Sequence, residues 1–150
     1  MLIRIRERIR AESGVAAVEF AIVAMVFMVI LFGILTYGFI YGLDQSMNHA
    51  AEEGARSAIS TTTDAAAITE AHDTAMARLG WLGSRIQSSD VVATVFQGTV
   101  GSDTCDPADA TIKCVKVTIT YPWSTRPIIP QFPGLPTPTQ MQAIAIVQLT

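Results

Sequence analysis

Few residues in this sequence are of types that do chemistry. Cys105 and Cys114 lie in one polar loop, and the two histidines, His49 and His72, stand far from both. Neither cysteine belongs to a CxxC pair, so a zinc site lacks ligands. In an oxidising compartment the two thiols are expected to form a local disulfide, and closing so short a loop adds about 2.5–3 kcal/mol by constraining the unfolded chain. Glu52 and Glu53 are adjacent, which on a helix turns them about 100° apart, so they do not form an acid–base pair. No nucleophile motif surrounds either histidine, and no glycine pattern cradles phosphate. The expectation is a protein that is not an enzyme and takes no metal, cofactor or small-molecule substrate. One acid stands in an unusual place: Glu19 is the single charge between Val15 and Tyr41.

That acid sits in the run VAAVEFAIVAMVFMVILFGILTYGFIY, which as a helix is about 40 Å long at 1.5 Å per residue, against a hydrocarbon core of about 30 Å. The run can cross a membrane with length to spare. Arg4, Arg6, Arg8 and Arg10 precede it, and Asp44 follows it. The positive-inside rule then places residues 1–14 in the cytoplasm, a transmembrane helix over 15–43, and residues 44–150 outside, in the periplasm of a Gram-negative cell. A secretory signal removed after the apolar run is the competing reading. The run is too long for an ordinary signal, and Tyr41-Gly42-Leu43-Asp44 is a poor cleavage site. From Asp44 onward there are six basic and ten acidic residues, a formal charge of −4. An acidic outer part offers no basic footprint for nucleic acid.

An acid inside a spanning helix is costly, about 2.5–3.5 kcal/mol at its centre and less near an end, where a carboxylate can reach the headgroups. The residues around Glu19 suggest more. Ser13-Gly14-Val15-Ala16-Ala17-Val18-Glu19-Phe20 places a glycine after a basic head, then four apolar residues, then Glu and an aromatic. This resembles the type III signal of prepilins, in which a membrane aspartic peptidase cuts after the glycine. The resemblance implies a cut between Gly14 and Val15, leaving Glu19 as the fifth residue. Glu19 could then neutralise the new amine of a neighbouring subunit, an interaction far stronger at low dielectric than in water. Gly38 and Gly42 form a GxxxG pair and Ala17 and Ala21 a small-xxx-small pair, either of which would let helices approach closely in lipid. Chance explains these pairs equally well.

Beyond the span, Leu43, Met47, Ala50, Ala51, Gly54, Ala55, Ala58 and Ile59 recur at spacings of three and four, which extends the helix to about Ser60. Glu52 and Arg56 form an i,i+4 pair in the favourable order. Thr61-Thr62-Thr63 breaks the pattern. Asp64 can cap a second helix that runs to about Leu79, with Ile68, Ala71, Ala75 and Leu79 on one face and Gly80 at its end. Three strands are expected, at Val91 to Phe96, Ile112 to Tyr121 and Met141 to Leu149. In the second, Val115, Val117, Ile119 and Tyr121 alternate with polar residues; in the third, Ala143, Ala145 and Val147 share a side. Between the last two, Tyr121 to Thr139 holds six of the seven prolines, with Pro127, Pro130, Pro133 and Pro136 at the period of a polyproline II turn. A stiff arm packed on the domain through Trp123, Ile128 and Phe132 is expected there. The fold class is α+β: a long N-terminal transmembrane helix and a second helix packed on a small three-stranded antiparallel sheet.

The order of leader, glycine–glutamate signal, span, following helix and late strands is similar to that of the TadE-like minor pseudopilins of tight-adherence (Flp) pilus systems. His49-Ala-Ala-Glu-Glu-Gly-Ala-Arg56 resembles the segment that follows the span in that family, and departs from it at Glu53. The resemblance implies a pilin-like fold, pilus assembly and cell adhesion. It also implies as partners a prepilin peptidase, other pilins or pseudopilins, an inner-membrane assembly platform and membrane lipid. Two other readings stand beside it: a pseudopilin of type II secretion, and an uncleaved membrane-anchored periplasmic binding protein in which Glu19 is incidental.

Overall fold

A computed structural model describes residues 2–100, 103–105, 111–130 and 134–149, giving the backbone alone for 2–13 and Val100. The chain divides into two compact units, Met1–Phe39 and Ile40–Thr150.

The first unit is part of one continuous helix, α1 (Leu2–Ser57), with no break at Gly14. Its large apolar side chains are exposed on all sides, from Val15, Phe20 and Ile22 through Val26, Phe27 and Ile30 to Ile34 and Phe39. A helix whose large apolar side chains stay exposed on every side suits an apolar solvent, and its length suits a bilayer. The chain therefore carries a single N-terminal anchor of membrane-spanning character among the described residues.

In the second unit the character of α1 changes. Ile40, Leu43, Met47, Ala50, Ala51, Ala55 and Ala58 are buried at spacings of one, three and four, giving one stripe against the core. Ile59 falls outside it: the last turn, Ala58–Ser60, is a 3-10 helix, and its tighter winding rotates Ile59 into solvent. The second helix, α2, spans Asp64–Arg78. Its N-cap is Thr63 rather than Asp64. Thr63 has the extended backbone of a cap and its hydroxyl accepts the Ala66 amide at 3.2 Å, while Asp64, one position inside, pairs with Lys113 at 2.8 Å. The buried face of α2 is Ala67, Ala71, Ala75 and Leu79, and Ile68 is exposed. Gly54 explains this choice. A Cβ at that position would lie 2.6 Å from the Ala71 carbonyl oxygen and 3.0 Å from the Ala75 Cβ. The two helices meet backbone to backbone, and only small residues fit between them.

Three strands follow, β1 (Val91–Gln97), β4 (Lys113–Tyr121) and β5 (Met141–Leu149), in an antiparallel sheet of order β1-β4-β5. The register pairs Ala93 with Val117 and Val117 with Ala145, so Val91, Ala93, Val115, Val117, Ile119, Met141, Ala143 and Ala145 line one face and close the core with the helices. Val147 is only partly buried at the sheet end. A two-stranded ribbon, β2 (Thr99–Val100) and β3 (Asp103–Thr104), forms within the loop that joins β1 to β4. It is tied to the outer face of the sheet by the Cys105–Cys114 disulfide and by the Lys116–Asp103 ion pair.

The proline-rich arm packs on the domain as expected at two of its three anchors. Trp123 is completely buried and Ile128 packs against the core; Phe132 lies outside the described residues. The Trp123 indole N–H has no acceptor among the described residues.

Candidate functional site

Gly14, Val15, Glu19 and Phe20 all lie on exposed turns of α1. Val15 and Glu19 are four residues apart and so share one face of the helix. Among the described residues nothing hydrogen-bonds or ion-pairs with Glu19. A carboxylate on an apolar cylinder, without a partner among the described residues, is a group that a second molecule can satisfy. Phe20, next in sequence, is also exposed.

The glycines point the same way. A Cβ built at Gly14, Gly38 or Gly42 would meet no atom within 4 Å, in contrast to Gly54. Glycine within a helix costs about 1 kcal/mol relative to alanine. No contact among the described residues accounts for the glycine at Gly14, Gly38 or Gly42. At Gly54 the need is internal.

Sequence reasoning missed three polar features of the second unit. Glu53 pairs with Arg78 of α2 at 3.2 Å, whereas the Glu52–Arg56 pair read from the sequence is present as a weak exposed contact at 3.9 Å. Asp90, buried at the start of β1, accepts the Gln87 amide at 2.7 Å and the Arg126 guanidinium at 2.6 Å. Arg126 also donates to the Arg85 carbonyl at 2.7 Å and lies over the Tyr121 ring, 5.7 Å from its centroid. Arg85 in turn donates to the Pro127 carbonyl. These bonds fasten the proline-rich arm to the segment before β1. Finally, His72 on α2 places Nε2 3.0 Å from the Ser88 hydroxyl and Nδ1 3.0 Å from Asp73. This chain of contacts has the element order of a hydrolase triad. Its Nε2, however, is shared with the Ser88 carbonyl at 3.2 Å, and Asp73 is 70% exposed, too hydrated to hold and polarise an imidazole. It is a tether between α2 and the turn before β1.

Tyr121 gives a pH-dependent prediction. Burial pushes its hydroxyl pKa up from the ordinary tyrosine value, against the opposing pull of the Arg126 and Arg85 charges. The neutral phenol also donates to the Arg126 carbonyl at 2.6 Å. A raised folded pKa favours the protonated form, so this contribution is fully present below the unfolded value of about 10 and is lost as pH rises past it. In urea titrations the wild type should lose stability above about pH 10 more steeply than Tyr121→Phe, which should itself be about 1 kcal/mol less stable at neutral pH. Parallel profiles for the two proteins would contradict this assignment.

Among the comparisons with known proteins, residues 14–56 match the family model described as TadE-like protein. The match begins at Gly14, covers Val15, Glu19, Phe20, Gly38 and Gly42, and ends at Arg56, just beyond Gly54. No curated protein and no solved structure matches the chain.

Proposed function

We propose that this chain, TadE-like over its N-terminal third and a pilus-related membrane protein by that likeness, is a minor pseudopilin of a tight-adherence (Flp-type) pilus. It is a structural subunit without catalysis of its own. A prepilin peptidase removes residues 1–14, the helix from Val15 holds the protein in the inner membrane, and residues 44–150 fold in the periplasm. The direction rests on Arg4, Arg6, Arg8 and Arg10 ahead of the span and Asp44 after it. The Cys105–Cys114 disulfide suits that oxidising compartment. Its partners are other pilins or pseudopilins and the assembly platform.

The observation that carries this reading is Glu19, exposed on an apolar helix, on the same face as Val15 and without a partner among the described residues. Cleavage places a charged amine on Val15 near the membrane surface. In an array of subunits offset along their axes, Glu19 of one meets the amine of the next. An opposite charge at about 4 Å is worth about 4 kcal/mol at an effective dielectric of 20, several times its value in water. The pair thus favours association and fixes the offset.

Gly14→Leu tests the reading. A Cβ at this position meets no described atom within 4 Å, and the residue lies outside the second unit, whose folding should be unchanged. Immunoblots of membranes should show the longer, unprocessed form accumulating, with loss of pilus-dependent adhesion. A Gly14→Leu protein of the same mass as the wild type would count against processing at this site.

A further inference from the structure

We infer that the turn Gly80–Arg85 touches the membrane, with the Trp81 ring set in the lipid headgroup layer beside the exit point of α1. The inference rests on the single-pass topology proposed above.

It follows first from the direction of α2. Ser57 donates to the Glu70 carbonyl at 3.3 Å, Gly54 abuts Ala71 and Ala75, Glu53 pairs with Arg78 at 3.2 Å, and Ser46 accepts from Trp81 Nε1 at 3.0 Å. As numbering rises along α2, its partners on α1 fall steadily toward Leu43, where the apolar run ends. The second helix therefore runs back along α1 toward Leu43, and the turn after it lies beside Ser46, three residues past the end of the apolar run. Ser46 is about 4.5 Å along the helix axis beyond Leu43. Side chains on a helix lean toward its N-terminus, here toward the membrane.

The second observation is the state of Trp81. It is 58% exposed, in contrast to the fully buried Trp123. Its N–H is already satisfied by Ser46, so the ring can enter an apolar or interfacial medium without stranding a donor. Leu82, next in sequence, is buried and pins the turn to the core. Gly83, at φ 57°, ψ −130°, takes a conformation that residues with a Cβ avoid, and reverses the chain there. Tyr41, exposed near the end of the span, supplies a second aromatic close to the same boundary. Trp and Tyr gather at the headgroup level because their rings are apolar and their polar atoms are not. The nearby arginines are engaged: Arg78 with Glu53 and Arg85 with the Pro127 carbonyl. The surface recognised is therefore the glycerol and carbonyl layer common to all phospholipids, rather than anionic headgroups.

The test uses the full chain in phosphatidylcholine vesicles, with Trp123→Phe leaving Trp81 as the sole tryptophan. Lipids brominated near the headgroup end of the acyl chains should remove most of its emission, bromines near the bilayer centre should remove less, and adding anionic lipid should change neither. The natural chain and Trp81→Phe provide a second route that leaves the core intact: the bromine-sensitive emission of the former should be missing in the latter. Vesicle flotation reports anchoring separately. A chain that floats with its vesicles while Trp81 emission is indifferent to bromine would overturn the inference and leave the anchor standing. A chain that does not float would overturn both.

Discussion

Glu19→Ala is expected to lower subunit association and fibre yield by about 100- to 1,000-fold while leaving insertion, processing and the second unit unaffected. Removing one partner of a desolvated charge pair costs about 3–5 kcal/mol, because the other charge remains in place without compensation. At 1.4 kcal/mol per tenfold, that is two to three orders of magnitude or slightly more. The effect should be confined to assembly. Glu19 lies in the first unit, and no described residue depends on it for a hydrogen bond or ion pair. Glu19→Gln should behave like alanine, since an amide cannot neutralise an amine, and Glu19→Asp should retain part of the function. Counting fibres per cell and crosslinking subunits in membranes would check this series. Normal fibres from Glu19→Ala protein that is correctly processed would remove the role assigned to the acid.

Gly54→Val is expected to destabilise the second unit by about 3 kcal/mol or more. Even the first added carbon would fall 2.6 Å from a backbone oxygen of α2, well inside contact distance. Overpacking by a methylene or two ordinarily costs about 1–3 kcal/mol, and here the obstacle is backbone, which cannot rotate away. For a domain of this size the melting temperature should fall by roughly 10 °C or more, as read by circular dichroism. Gly38→Val and Gly42→Val provide the contrast. A Cβ at either position meets nothing within 4 Å, so their melting curves should match the wild type, and any defect should appear in assembly. A Gly54→Val protein as stable as the wild type would mean that α1 and α2 are not held as closely as described.

Much of this fold can be read from local pattern. The alternation of Val115, Val117, Ile119 and Tyr121 along β4 is plain because one face of the strand is fully buried. The stripe from Leu43 to Ala58 is plain because α1 meets the core along a single line. The same reasoning finds Ala71, Ala75 and Leu79 on the inner face of α2 but chooses Ile68 where Ala67 is buried. Size favours Ile68 as the inward side chain, yet the Gly54 crossing admits only alanine, and that contact pairs residues 17 and 21 positions apart in the chain. The cap assignment fails for a related reason. Thr63 and Asp64 are both good capping residues, and Asp64 is drawn away by Lys113, 49 positions later. The Asp90–Arg126 bond, 36 positions apart, and the short β2–β3 ribbon leave no periodic trace at all. At the candidate site the balance is reversed. Gly14, Val15, Glu19 and Phe20 are legible as a motif in sequence, and the structure adds that a Cβ at Gly14 has no neighbour, and Glu19 no partner, among the described residues. Trp81 was not legible, since only the return of α2 places it beside Ser46.

The whole account depends on a charged amine being made at Val15. Edman degradation of the protein extracted from membranes, with intact mass measured alongside, examines that step directly. The predicted result is a sequence beginning Val-Ala-Ala-Val-Glu and a mass lacking residues 1–14. A protein that retains Arg4, Arg6, Arg8 and Arg10 would contradict it, leaving a tethered domain whose Glu19 has no amine to meet.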